Sequence, residues 1–368
     1  MSKTLLSIEK KLAAKNAEGS LRSLPELLPN GIDFCSNDYL GLAKKSISEL
    51  NSEHHWAATG SRLISGNSNS ILEAEKIATV FFGQDALLFN SGYHANVALI
   101  PCLSEADDVI LYDAHSHMSF RDGIKLSAAR AFSFQHNNLE HLEERLKQVS
   151  RGLTGKILVI SEGLFSMQGD QPDLETLLKL CEKYQAELIL DEAHSAGIFG
   201  EQGRGLSYEF REHPNLLLRI FPLGKSFAAA GCFVVANKVL LDYVVNQCRT
   251  FIYSTALPPV MGDVIGQRII QVEESEEARK RIFELISFWC QRNENMQISQ
   301  RNSPIQFVLA NREKQLRIKE EVIRHNINVL PIRYPSVPKA EEGFRVTLHS
   351  FNTEAEIIAL QNLLNPIC

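Results

Sequence analysis

The sequence predicts an α/β protein built on a large, mainly parallel sheet, with a smaller α+β domain at its C-terminal end. Between about residues 72 and 236, short apolar runs of strand length alternate with helical stretches, the pattern of crossover units. Those runs are continuously apolar rather than alternating, as expected of strands covered on both faces. After Leu257-Pro258-Pro259 the pattern turns to long, charge-rich helical sequence and then to isolated strands. The chain has 368 residues, and at roughly 150 residues per domain this is room for two domains or for one large domain with an appendage.

In chain order, Ser2 to Ala17 reads as a short amphipathic helix, and Gly19 with the Pro25, Pro29, Asn30, Gly31 cluster reads as a loop. Residues 1–45 are therefore an N-terminal lead-in segment. Helical stretches Leu72 to Phe82 and Leu139 to Gln148 alternate with the apolar runs Ala86 to Phe89, Val109 to Tyr112, Ile157 to Ser161, Leu188 to Leu190, Leu217 to Phe221 and Cys232 to Ala236. These assign residues 46–262 to the large domain. A helical segment from Asp263 to Asn295 follows, with strands around Ile305 to Leu309, Asn328 to Ile332 and Phe344 to Leu348 and a final helix near Glu354 to Leu364. They assign residues 263–368 to the small domain.

Composition narrows the function. The chain is 44% hydrophobic and 22% charged, close to soluble globular averages, which argues against disordered and fibrous classes. With 38 basic and 44 acidic side chains the formal charge is −6, so the electrostatic footprint of a nucleic-acid binder is missing and small molecules are the expected partners. Seven scattered cysteines, none in a C-x-x-C pair, suit reduced thiols rather than a disulfide framework or a metal site. Met1 to Lys15 has no continuous apolar stretch, so neither a secretory signal nor a membrane span is expected, and the expected location is the cytoplasm.

Two segments could carry chemistry. Glu187-Leu188-Ile189-Leu190-Asp191-Glu192-Ala193-His194 runs from an apolar strand into two acids and a histidine, and ligands of open parallel sheets sit beyond the carboxyl ends of strands. An Asp capping the next helix is the plainer reading of that position. Lys225, in Phe221-Pro222-Leu223-Gly224-Lys225-Ser226-Phe227, sits in apolar sequence, where desolvation lowers an amine pKa as Schiff-base chemistry requires. Its plainer reading is a strand-end lysine reaching water. Together, 225 − 191 = 34 residues apart, they are more specific than either alone. An acid that keeps a pyridinium nitrogen protonated and a lysine that holds an aldehyde as an imine are the pair used by pyridoxal 5'-phosphate (PLP) enzymes, and His194 could donate to the ring's phenolic oxygen.

Further ordered motifs make the chain recognisable. They are Phe34-Cys35-Ser36-Asn37-Asp38-Tyr39-Leu40-Gly41-Leu42, Gly60-Ser61-Arg62-Leu63-Ile64-Ser65-Gly66, Asn90-Ser91-Gly92-Tyr93-His94-Ala95-Asn96, His115-Ser116-His117-Met118-Ser119 and Ser161-Glu162-Gly163-Leu164-Phe165-Ser166-Met167. With Asp191-Glu192-Ala193-His194 and Gly224-Lys225, the chain resembles, over nearly its whole length, the α-oxoamine synthase family of fold-type I PLP-dependent transferases. The resemblance implies that Lys225 is the imine lysine and moves the substrate's α-proton, that Asp191 partners the pyridine nitrogen, and that His117 stacks on the ring and contacts the substrate carboxylate. His115 is chemically similar, and only the family register favours His117. Ser91, Gly92 and Tyr93 are implied at the cofactor phosphate, where a helix N-terminus offers N–H groups. Glu162 and Ser166 are implied near the phenolic oxygen. Arg333, in a segment similar to the family's R-P-P-T-V-P, and neighbouring Ser336 are implied at the amino-acid carboxylate, a role suited to a guanidinium fork. Asn37 is a further substrate contact and Arg22 a candidate for the acyl substrate.

Three positions depart from the family pattern. Pro222 stands where many members carry a phosphate-binding threonine, and proline has neither hydroxyl nor N–H, so Ser226, or Ser254 and Thr255 of a neighbouring subunit, must substitute. Ile71 replaces a frequent histidine, and the usual small residues after the lysine read Ser226-Phe227-Ala228-Ala229. The implied activity is condensation of an amino acid with an acyl thioester, on CoA or acyl carrier protein, with loss of carbon dioxide. L-alanine with a pimeloyl thioester, as in biotin synthesis, is the first expectation. Glycine with acetyl-CoA and serine with a long acyl thioester are the alternatives, and a catalytically silent partner subunit is the reading from another class. A homodimer is implied by the resemblance, and no metal, nucleic acid or membrane is expected.

Overall fold

A computed structural model describes residues 2–24, 27–47, 50, 55–292, 302–334 and 336–364. Chain order begins with α1 (Lys3–Ala17), the two-residue β1 (Ile32–Asp33), α2 (Asn69–Phe82) and β2 (Ala86–Phe89). Next come α3 (Gly92–Leu103), β3 (Val109–Asp113), α4 (Met118–Leu126) and β4 (Arg130–Phe134). They are followed by α5 (Leu139–Val149), β5 (Ile157–Glu162), α6 (Leu174–Lys183), β6 (Ala186–Asp191), β7 (Leu216–Pro222) and β8 (Cys232–Ala236). Helices α7 (Lys238–Gln247), α8 (Arg249–Ile252), α9 (Val260–Glu273) and α10 (Glu276–Arg292) then precede β9 (Ile305–Leu309) and α11 (Arg312–Arg324). The last elements are β10 (Ile327–Asn328), β11 (Leu330–Ile332), β12 (Gly343–Thr347) and α12 (Glu354–Leu364).

Two compact units result, one of residues 37–282 with 349–351, the other of residues 1–36, 283–348 and 352–368. In the first, seven strands run in the order β2-β8-β7-β6-β5-β3-β4. Strands β3 to β7 pair in parallel, and β8 alone is reversed between β7 and β2. The inner strands are largely apolar because both faces are covered. On one face Ile110, Ile160, Ile189, Leu218 and Val234 pack with Leu99 of α3 and Leu241 of α7. On the other, Val109, Leu188 and Leu190 meet Leu142 and Leu177 of α5 and α6, while Phe221 and Phe233 meet Phe81 and Phe82 of α2 and Ile265 of α9.

In the second unit, β11, β12 and β9 form an antiparallel sheet, and β1 pairs with β10 in parallel. The helical segment expected from Asp263 to Asn295 is two helices, since α9 ends at Glu273 and α10 begins at Glu276; residues 293–295 lie outside the described residues. The strand expected from Asn328 to Ile332 is two short pieces, β10 and β11, with Val329 between them. Among the described residues no helix is long and apolar enough to cross a membrane.

Candidate active site

The carboxyl ends of β3, β5 and β6 and the turns that follow them gather five of the expected residues of the first unit: His117, Glu162, Ser166, Asp191 and His194. Asp191 is the last residue of β6 and is 4% exposed, as burial at the end of an apolar strand dictates. Its Oδ1 accepts the Ala193 N–H at 2.9 Å, so it does shape the following turn. Its Oδ2 accepts from Asn96 Nδ2 at 2.8 Å. Asn96 lies on the buried face of α3 and also donates to Ser119 Oγ at 3.0 Å. Ser119 Oγ is in turn 2.7 Å from His117 Nδ1, which accepts the Ser119 N–H as well at 3.3 Å. With Nδ1 accepting, the ring proton sits on Nε2. A single hydrogen-bonded chain thus links Asp191 to His117 through two residues that sequence spacing did not single out.

The same geometry separates the two histidines. His117 is the N-cap of α4 and its N–H donates to Glu162 Oε1 at 2.6 Å. His115 instead stacks on His136, centroids 3.9 Å apart. Burial, offset in part by Asp191 and reinforced by the Lys225 charge, holds His117 below the ordinary histidine pKa. Glu162, at the end of β5, is pushed up to about 8 by burial and by the Asp191 carboxylate.

His194 is buried in the turn after β6, its Nδ1 2.6 Å from the Tyr39 hydroxyl, and Tyr39 Oη also donates to Asn37 Oδ1 at 3.4 Å. Tyr39, 0% exposed, lies within the Phe34–Leu42 motif, where residue type alone gives it no mark of function. The Lys225 turn is held against this loop by close packing. Gly197 has φ +88°, and a Cβ there would fall 2.2 Å from Ser226 Cβ, so only glycine lets the two turns touch. Lys225 is half-buried, and its charge acts on both His117 and Glu162. Ser166 lies half-buried in the loop after β5.

Ser91 caps α3, accepting the His94 N–H at 3.2 Å, so Gly92 and Tyr93 present the first N–H groups of a twelve-residue helix. Gly92 is pressed against Pro222, the last residue of β7, and a Cβ would come within 2.6 Å of the proline Cγ. Tyr93, half-exposed, donates its hydroxyl to Asp122 at 2.6 Å. Thr255 of this same chain is beside the helix start, its carbonyl accepting from Asn90 Nδ2 at 2.7 Å, with Ser254 next to it. Ser226 Oγ is buried without a hydrogen-bond partner. Ile71 and Phe227 are core residues.

The expected residues of the second unit form their own group. Arg22 donates to Ser336 Oγ at 3.0 Å, and Arg333 Nε donates to Gln315 Oε1 at 2.7 Å. Arg22, Arg333 and Ser336 line a cleft of about 1160 Å³ together with apolar residues that include Leu21, Leu24 and Leu330.

The first-unit residues fit PLP as a donor set. A buried carboxylate, an amine, a helix N-terminus without a side chain at Gly92 and an unsatisfied serine hydroxyl match a pyridine nitrogen, an aldehyde and a phosphate.

Residues 29–360 match the family model of aminotransferase class I and II. The 8-amino-7-oxononanoate synthase of Chromobacterium violaceum is 35% identical over 341 residues, covering 90% of this chain and 88% of the relative. The crystal structure of 8-amino-7-oxononanoate synthase from Francisella tularensis superposes with TM-score 0.74 at 30% identity, covering 91% of this chain and 97% of that one. A serine palmitoyltransferase from S. paucimobilis with bound PLP-myriocin aldimine superposes with TM-score 0.88 over 97% of this chain and 96% of that one; at 23% identity it speaks to the fold alone. The chain belongs to the aminotransferase class I and II family, in its α-oxoamine synthase branch of fold-type I, PLP-dependent acyltransferases.

Proposed function

We propose that this chain joins L-alanine to a pimeloyl thioester, releasing carbon dioxide and the thiol carrier and leaving 8-amino-7-oxononanoate. The observation that carries the reading is the hydrogen-bonded chain from buried Asp191 through buried Asn96 and Ser119 to His117, in a protein whose 35% identical relative is an 8-amino-7-oxononanoate synthase. Lys225, Asp191, His117 and His194 would hold PLP, with Ser91, Gly92, Tyr93, Ser226, Ser254 and Thr255 at its phosphate and Glu162 and Ser166 nearby. When bound, PLP supplies an electron sink for the pair left on the substrate's α-carbon.

The chain's own groups do the rest. Asp191 holds a proton at the pyridine nitrogen, and Asn96 fixes the carboxylate in the orientation for it. The Lys225 amine takes the α-proton and returns it after carbon dioxide has left. His117, neutral because burial lowers its pKa, offers its Nε2–H toward the substrate carboxylate. The family resemblance assigns Arg333, Ser336 and Asn37 to that carboxylate, a role that suits a guanidinium fork, and Arg22 with the leucine-rich cleft suits an acyl chain that ends in an acid. A homodimer in the cytoplasm, with CoA or acyl carrier protein bearing the acyl group, completes the proposal. Assaying alanine with pimeloyl-CoA, glycine with acetyl-CoA and serine with a long-chain acyl-CoA tests it. The expected result is the highest kcat/KM for the alanine pair, and a clearly higher value for glycine or serine defeats the assignment.

A further inference from the structure

His136, two residues beyond β4, sits between two acids. Its Nδ1 is 2.8 Å from Asp113 Oδ1 and its Nε2 is 2.7 Å from Asp170 Oδ2. The ring is 15% exposed and the two carboxylates 1% and 10%. A carboxylate oxygen lies beside each nitrogen, hydrogen-bonded at Nδ1 and in ion-pair contact without hydrogen-bond alignment at Nε2, so the ring that carries both protons is favoured and one positive charge is shared by two buried acids. Each acid governs a different segment. Asp113 ends β3, its Oδ1 also accepts the His115 N–H at 2.7 Å and its Oδ2 the Asn137 N–H at 2.9 Å, so it anchors the turn that leads to His117. The Asp170 carbonyl accepts the Phe165 N–H at 2.9 Å and closes the loop that carries Ser166. Asn137 adds a side-chain bond to Asp170. The His136 ring touches both segments as well, stacked on His115 and met edge-on by Phe165 at 4.5 Å.

We propose that His136 is a positioning residue for the reaction: clamped between Asp113 and Asp170, it holds the His117 turn and the Ser166 loop in one arrangement. This rests on the reading of those two segments as cofactor-facing. Nothing in the reaction passes through His136 itself. Without it, two buried carboxylates face each other unscreened, and the segments they anchor separate.

The test compares wild type with His136→Gln and Asp170→Asn. In cofactor-free protein, amide hydrogen exchange of peptides spanning residues 113–117 and 163–170 is expected to quicken together in His136→Gln, by about tenfold or more, while peptides of β5 and β6 keep their rates. Asp170→Asn is expected to quicken 163–170 alone. On adding PLP, His136→Gln is expected to show a weaker dissociation constant and a lower kcat with little change in the alanine KM. Wild-type exchange in either segment of His136→Gln overturns the clamp, and so does quickening that spreads to the sheet. If wild type takes up no PLP, the functional reading fails by itself. If it does, and His136→Gln keeps wild-type affinity and kcat, the positioning role fails alone.

Discussion

Raising the pH is expected to dismantle the His136 clamp, and the cost can be worked from the structure. The two carboxylates outweigh burial and raise the ring's pKa from 6.5 to about 9. A shift of one unit is worth about 1.4 kcal/mol, so the full shift corresponds to about 3 kcal/mol; partial screening by water reduces this to about 2 kcal/mol. Because the folded pKa is raised, this stability is fully present below pH 6.5 and is lost as the pH climbs through about 9. Glu162, raised to about 8, lowers stability over part of the same range, so wild type alone does not isolate the histidine. Subtracting the His136→Gln variant does. The charged and titratable groups facing the ring are Asp113 from β3, Asp170 from the loop after β5 and His115 from the turn after β3. Urea midpoints of both cofactor-free proteins, measured from pH 6 to 10, are expected to differ most at the acid end and to converge above pH 9. A difference that stays constant with pH would refute the reasoning.

Replacing Asn96 by Ala removes the donor shared by Asp191 and Ser119, two buried acceptors; a fall in kcat of at least about tenfold is expected in steady-state assays, with PLP still bound. Gly92→Val forces a side chain into Pro222 at the start of α3, so equilibrium dialysis is expected to show weakened PLP binding while the sheet stays folded by circular dichroism. Trp289→Ala empties a site that is 1% exposed in α10, and a loss of about 3–5 kcal/mol is expected in urea unfolding.

The strands legible in the sequence are those buried on both faces. Ala86 to Phe89 and Cys232 to Ala236 coincide with β2 and β8, and the other apolar runs lie inside their strands. β4, at one edge of the sheet, escaped because Arg130, Phe132 and Ser133 are exposed, so Arg130 to Phe134 carries no continuous apolar run. The candidate site was legible where a residue type is unusual for its neighbourhood, as with Asp191 after an apolar strand and Lys225 among apolar residues. Asn96 and His136 had no such mark. Asn96 meets Asp191 across 95 residues, and His136 gains its meaning from Asp113 and Asp170, which the topology alone brings together. The difference in surroundings between His115 and His117 likewise shows only in the fold, where His117 Nδ1 meets Ser119 and the His115 ring stacks on His136.

The measurement that tests the central claim most directly is a visible absorbance titration of the purified protein with PLP, and then with alanine, glycine and serine in parallel, beside the Lys225→Ala variant. The expected result is an imine band in wild type that is missing from Lys225→Ala and that responds most strongly to alanine. A wild-type protein that develops no band with PLP, or a Lys225→Ala variant that keeps both band and turnover, would contradict it.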